Sequence, residues 1–265
     1  MICISGPLCL PLTLWLSVTI ILPLIVPRLF TAASIMKTIG ILGGMSPSST
    51  QIYYRELCNL MRDYFGGLHS PELLIRSLDF ARIEGLQTSG KWDEAAQILN
   101  KEACALERGG AGLIVLATNT MHKVAEQMMI GVSIPMLHIA DATAASIRDQ
   151  RLQSPGLMAT AFTMEQTFYV DRLIAAGLTP ILPDGPDRAW THRIIYEELC
   201  CGIVREESRE IFISIANRLI NKGADCLILG CTEVGMLLNR NNLAVPVFDT
   251  ALIHCQAALQ MALEG

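Results

Sequence analysis

Two stretches of the chain, GGAGLIVLATNT (Gly109–Thr120) and KGADCLILGCTE (Lys222–Glu233), lie on one another without a gap. Gly110 pairs with Gly223, Ala111 with Ala224, Leu116 with Leu229, and Thr118 with Cys231, 113 positions further on. Each copy is a short apolar run that stops on small polar residues, the pattern of a strand buried on both faces. The surroundings repeat too. Each copy is followed by an x-Pro-apolar segment, SIPML around Pro135 and AVPVF around Pro246. The beginnings match more loosely, IGILGG up to Tyr54 against PGLMAT up to Tyr169.

A period of this length is far too long for a solenoid repeat. It is the size of a whole small domain. Between the copies, short apolar runs alternate with amphipathic ones. KTIGILGG, ELLIRSLDF, AGLIVLAT, GLMAT, TPILP, ADCLILG and VPVFD read as strands. SPSSTQIYYRELCNLMRDYF reads as a helix with Ser46 as N-cap and Pro47 at its first position. KWDEAAQILNKEACALERGG, MEQTFYVDRLIAAG and one long helix from His192 to Lys222 follow. Such alternation predicts parallel sheets with helices on both faces. The fold class is therefore α/β, with two pseudo-symmetric lobes, each a short mostly parallel sheet flanked by helices. Residues 36–138 form the first lobe and 139–249 the second, with 250–265 packing back on the first.

Ligands of open parallel sheets bind beyond the carboxyl ends of the strands. If the lobes meet at those ends, Thr118 and Cys231 face each other across one cleft. Other strand ends bring Gly44-Met45-Ser46 and the segment from Thr160 to Thr163 to the same place. Backbone N–H groups and hydroxyls at helix starts suit a carboxylate, although plain N-capping accounts for each such end taken alone. A thiol at a helix N-terminus has a stabilised thiolate, so Cys231 is expected to be reactive near neutral pH, and Cys226 buried and inert. Asn119 and Thr120 add an amide and a hydroxyl. His122 either reaches the site or caps backbone, and Glu233 either orients the thiol or binds a substrate amine.

Composition narrows the chemistry. The 265 residues are 51% hydrophobic and 17% charged, enough for a sizeable core. A net charge of −5 offers no basic footprint for nucleic acid and leaves a small molecule or a protein as partner. Nine cysteines include no C-x-x-C pair, the usage of a reducing compartment. GILGGMS lacks the G-x-G-x-x-G spacing, no His/Cys cluster points to a metal, and no lysine is set for a pyridoxal Schiff base. A thiol site without cofactor remains. The first charge is Arg28, after a run from residue 10 to 27 long enough to span a bilayer. Three readings of residues 1–35 stand: translation beginning at Met36 in a cytoplasmic protein, a membrane anchor through residues 10–27, or a removable targeting segment.

MKTIGILGGMSP, LATNTMHKV, TMEQTFY, GCTEVG and VPVFDT, in this order, resemble the aspartate/glutamate racemase family of cofactor-independent amino-acid racemases. The resemblance runs from Met36 to about Leu263. It implies two facing lobes, each giving one cysteine to opposite faces of the substrate α-carbon. One thiolate removes the α-proton and the opposite thiol returns one. The resemblance makes Cys231 the base on the L-face. The strand ends themselves offer Met45, Ser46, Asn119, Thr120, Thr160, Thr163, Thr232 and Glu233 as the candidate substrate-binding residues.

This chain departs from that pattern at Thr118, where a cysteine is usual. A threonine hydroxyl can hand a proton to a carbanion but ionises too reluctantly to be a routine base. The expectation is a lopsided isomerase that works from L-aspartate or L-glutamate and turns D-substrates over slowly. A cation for the distal carboxylate has three candidates, Arg76, Arg82 and Arg188. The alternatives are a single-cysteine decarboxylase or isomerase of dicarboxylic acids and a catalytically silent amino-acid-binding protein. A homodimer is expected on general grounds.

Overall fold

Through the first lobe the elements run β1 (Ile39–Gly43), α1 (Pro47–Phe65), β2 (Leu73–Ser77), α2 (Phe80–Thr88), α3 (Trp92–Arg108), β3 (Leu113–Leu116), α4 (Ala125–Met128) and β4 (Met136–Leu137). The second lobe follows as α5 (Ile139–Asp149), β5 (Pro155–Ala159), α6 (Ala161–Glu165), α7 (Thr167–Ala175), α8 (Gly185–Glu197), α9 (Glu206–Asn221), β6 (Cys226–Gly230) and β7 (Val247–Asp249). The chain closes on α10 (Thr250–Leu263). This computed structural model describes residues 36–238 and 243–264, so the expectations for residues 1–35 fall outside it. Among the described residues no helix is long and apolar enough to cross a membrane.

Both sheets are parallel, with strand orders β2-β1-β3-β4 and β5-β6-β7. Ile41 lies opposite Ile75 and Val115; Leu229 lies opposite Met158 and Asp249. Successive side chains of a strand point to opposite faces, so an all-apolar strand needs cover on both. On one face of the first sheet, Leu42, Ile114 and Leu116 pack with Leu99, Ala103 and Leu106 of α3. On the other, Ile39, Ile41, Leu113 and Val115 meet Tyr53 and Leu57 of α1 and Ala251, Cys255 and Ala258 of α10. The second sheet sets Met158, Leu227 and Leu229 against Phe212, Ile215 and Leu219 of α9. Its other face sets Leu157, Ala159 and Ile228 against Ile139, Ala144 and Ile147 of α5 and Tyr169 of α7. Each fully buried aliphatic or aromatic side chain contributes about 1.5–3 kcal/mol.

These clusters reveal an exchange. α5 leaves the first sheet after β4 and covers the second, and α10 leaves the second sheet after β7 and covers the first. The two helices pack on each other where they cross. The lobes are thereby joined along one side, and the strand ends face each other on the other.

Local chemistry explains most boundaries. Ser46 caps α1 by accepting from the Ser49 N–H at 3.2 Å, with Pro47 in the first turn. Asp79 caps α2 through the Ala81 N–H at 3.3 Å. α3 starts with Asp93 and Glu94 and ends with Arg108, matching its dipole. Three expectations need correction. The single helix from His192 to Lys222 is broken into α8 and α9, because Gly202 takes a left-handed conformation (φ 74°) after a 3₁₀ turn. TPILP contributes only an isolated bridge, Ile181 to Gly156, in place of a strand. ELLIRSLDF is a strand only as far as Ser77; its last residue, Phe80, opens α2, a helix the periodicity did not announce.

Candidate active site

The cleft between the strand ends is narrow, with about 30 Å³ of free space. Met45, Thr118, Asn119, Thr120, Thr160, Cys231, Thr232 and Glu233 all line it. Ser46 and Thr163 sit one layer behind, buried and bonded to lining residues. β1 reaches the cleft by a turn that only glycine allows. At Gly44 φ is +87°, and an added Cβ would lie 2.2 Å from the Leu78 carbonyl oxygen.

The two copies of the repeat make matching bridges between the lobes. After Thr118, Thr120 lies with its Oγ1 3.0 Å from Oγ1 of Thr160, the N-cap of α6. Thr163 completes a hydroxyl triangle at 3.2 and 3.4 Å. After Cys231, the Glu233 carboxylate accepts from the hydroxyl of Ser46, the N-cap of α1. In each case the residue two places after Thr118 or Cys231 crosses to the helix cap that follows the first strand of the other lobe. One bridge is hydroxyl to hydroxyl and the other is hydroxyl to carboxylate.

Glu233 collects further donors. Cys231 Sγ donates to its Oε2 at 2.9 Å and Thr232 Oγ1 to the same oxygen at 2.5 Å. Cys200 Sγ stands 4.0 Å from Oε1. Burial pushes the Cys231 thiol well above its ordinary range, and the charge of Glu233 and the neighbouring Cys200 push it further. This corrects the expected low-pKa thiol. Cys231 precedes a 3₁₀ turn, Thr232–Met236, and not an α-helix. So short a run of peptides carries little dipole, and a carboxylate outweighs it at contact distance.

The Thr118 side is pinned by its neighbours. The Ala117 carbonyl accepts from Ser49 Oγ at 2.9 Å, and the Thr118 carbonyl from His122 Nδ1 at 2.7 Å. His122 Nε2 accepts the Ile139 N–H at 3.2 Å, which fixes a neutral tautomer. His122 thus positions Thr118 from behind and does not line the cleft. Asn119 Nδ2 donates to Thr250 Oγ1 at 3.0 Å, and Thr250 passes its own proton to the Leu229 carbonyl at 2.9 Å. Because that hydroxyl can only accept from Asn119, the amide orientation is fixed and Asn119 Oδ1 is left buried without a protein partner.

Sequence reasoning missed the wall opposite the strand ends. Phe80 and Gln87 of α2, Ile195 and Tyr196 of α8, and Cys200 line it, together with Ser49. Phe80 and Tyr196 stack with ring centroids 6.2 Å apart. No lysine or arginine lines the cleft among the described residues. Arg76 pairs with Glu102 at 2.6 Å, and Arg188 is held by Glu165 at 3.1 Å and the Pro183 carbonyl at 2.7 Å. Arg82 is exposed on α2 and does not line the cleft. No group of three or more acidic, histidine or cysteine side chains among the described residues is placed to hold a metal.

Two facing parallel-sheet lobes with a thiol and polar strand ends between them define a racemase architecture. The chain belongs to the Asp/Glu/hydantoin racemase family, whose model matches residues 42–258. It is similar to the broad specificity amino-acid racemase RacX of Bacillus subtilis (strain 168), 24% identical over 219 residues, 80% of this chain and 92% of that protein. Among crystal structures, a candidate Asp/Glu racemase from Yersinia pestis is 46% identical with a TM-score of 0.80, covering 86% of this chain and 100% of its own. An aspartate racemase homologue from Pyrococcus horikoshii OT3 is 35% identical with a TM-score of 0.75, covering 86% of this chain and 99% of its own.

Proposed function

We propose that the protein inverts the α-carbon of free amino acids without a cofactor, working from the L-face, with aspartate and glutamate as its substrates. The observation that carries this reading is the Cys231–Glu233 contact at 2.9 Å in a cleft that Thr118 also lines. A thiol held protonated by burial needs a local acceptor before it can act as a base, and the carboxylate is that acceptor. The proton of Cys231 passes to Glu233, and the thiolate takes the α-proton of the L-substrate. The Thr118 hydroxyl delivers its proton to the opposite face, water reprotonates it, and the hydroxide so formed takes back the proton left on Glu233. The substrate ammonium is held by Asn119 Oδ1, the acceptor left open by Thr250. Its α-carboxylate meets the hydroxyls of Thr120, Thr160 and Thr232. A preorganised, water-poor cleft of this kind stabilises developing charge best.

In the reverse direction Thr118 would have to act as base, and no carboxylate of the kind Glu233 provides stands in its copy of the repeat: Thr120 occupies that place. Microscopic reversibility keeps the D-to-L direction in existence, with a poor kcat/KM. The test is proton NMR in D₂O on the whole protein, following loss of the α-proton from L- and D-aspartate and L- and D-glutamate. Exchange confined to the L-isomers and abolished in Cys231→Ala supports the reading. Exchange that persists in Cys231→Ala, or none with any of the four, ends it.

A further inference from the structure

The side chain of a substrate held by Asn119 and flanked by Thr118 and Cys231 faces the wall made by α2 and α8. That wall has a particular chemistry. Its polar groups are the Gln87 amide and the Tyr196 hydroxyl, and its remainder is Phe80 and Ile195. The charged group among the residues lining the cleft is Glu233, which is negative. The three arginines that could have neutralised a distal carboxylate are tied elsewhere or lie outside the cleft.

Gln87 is 2% exposed and oriented from both ends. Its Oε1 accepts from Tyr196 Oη at 3.0 Å, which turns the Nε2 end away from that hydroxyl. Nε2 lies against Met121 Sδ at 2.9 Å, a weak acceptor that leaves the amide's donor strength largely unused. Tyr196 is itself fixed by its stack on Phe80 and by His192, whose ring centroid is 4.6 Å away. The amide carries two N–H bonds and Met121 engages one of them, so the wall holds a rigid, uncharged amide with one donor to spare. Such a donor bonds the oxygen of a carboxylate, a carboxamide or a hydroxyl alike. A carboxylate gains a stronger hydrogen bond from it but also meets the negative Glu233 in the same low-dielectric space.

We propose that Gln87, oriented by Tyr196, is the residue that reads the substrate side chain, and that it does so without regard to charge, so that glutamate and glutamine, and aspartate and asparagine, are turned over with similar efficiency. This rests on the racemase reading above and deepens it: the substrate class is α-amino acids with a short, oxygen-bearing side chain, charged or neutral.

The experiment measures kcat/KM for α-proton exchange with L-glutamate, L-glutamine, L-aspartate and L-asparagine on the whole protein. Each acid is expected within about tenfold of its amide, the spread typical of small side-chain differences. Gln87→Lys adds the missing cation and shifts the acid-to-amide ratio toward the acid by about tenfold or more. Gln87→Glu, nearly isosteric and therefore the safer fold, shifts the ratio the opposite way. Tyr196→Phe frees the amide to rotate and raises KM for all four with kcat little changed. A wild-type preference for the acids beyond about a hundredfold overturns the proposal. So does an unchanged ratio in folded Gln87→Glu, in either case with the racemase reading intact. No exchange with any of the four overturns the racemase reading and this proposal with it.

Discussion

Sγ of Cys231 lies 2.9 Å from Oε2 of Glu233, whereas Thr118, its counterpart in the repeat, is followed at the corresponding place by the hydroxyl of Thr120. The two faces of the cleft thus differ twice, in the group that carries the proton and in the group that receives it. Replacing the acceptor alone separates these differences. Glu233→Gln keeps a hydrogen-bonding side chain of the same size and removes the base, so L-isomer exchange should fall by about 10²–10⁴-fold. Alkylation of Cys231 by iodoacetamide near neutral pH should be slow, because burial and Glu233 hold it as the thiol. An exchange rate in Glu233→Gln equal to that of the unmodified protein would show that the thiol finds its base elsewhere.

Thr118→Cys restores a thiol on the second face. D-isomer exchange should then rise by about tenfold or more while L-isomer exchange survives. The gain will be incomplete, since Thr120 still stands where a carboxylate would be needed to take the new thiol's proton. Adding Thr120→Glu tests that clause directly, with D-isomer exchange rising again in the double variant.

The buried imidazoles give stability a pH dependence. Desolvation lowers His254 to about 4 and His138 to about 3, and His122 is lowered as well. His254 Nδ1 lies 2.8 Å from the Tyr53 hydroxyl and its Nε2 3.0 Å from the Leu137 carbonyl, so the neutral ring is already fully engaged. Below the unfolded value of about 6.5 the unfolded chain binds protons that the folded one refuses. Stability therefore falls as pH drops from about 6.5 to about 4 for His254, and on to about 3 for His138. Above pH ~6.5 these groups contribute no slope. Each can cost at most about 1.4 kcal/mol per pH unit. Urea midpoints should be clearly lower at pH 5 than at pH 7.5; coincident midpoints would contradict the burial of neutral rings.

Gly44→Ala should damage fold and site together. The new Cβ would sit 2.2 and 2.3 Å from backbone atoms of Leu78, at a φ of +87°. The Gly44 N–H, which donates to Thr50 Oγ1 at 2.7 Å, would be displaced with the turn. A loss of about 2 kcal/mol or more is expected, seen as a lower thermal midpoint. Gly110→Ala, where φ is +98° but no atom lies within 4 Å, should cost less.

The lobes and the strand ends were legible in the sequence because an ungapped internal match needs no knowledge of packing. Thr118 and Cys231 could be paired by counting. Gln87 and Tyr196 could not, since their meeting depends on how α2 and α8 close over the cleft, and a buried glutamine in LQTSG looks like any surface residue. α2 itself escaped notice because it is short and carries Gly85 in its interior. The break between α8 and α9 was signalled by Gly202 alone, inside apolar spacing that continues on both sides. The thiol's environment was misjudged for a different reason: the sequence shows that Glu233 is two residues from Cys231, but only the 3₁₀ turn folds that carboxylate back onto the sulfur.

The exchange of α5 and α10 has a bearing on ancestry. A lone half of this chain would display one bare apolar sheet face, because the helix that follows its last strand reaches over to its neighbour. It could cover that face only by borrowing the same helix from a sister molecule. Two such halves would interlock as a domain-swapped pair about a twofold axis, identical at both ends of the cleft. Tethering them in one polypeptide lifts the requirement of sameness, and leaves each half at liberty to drift, one toward a threonine and the other toward a thiol beside a carboxylate.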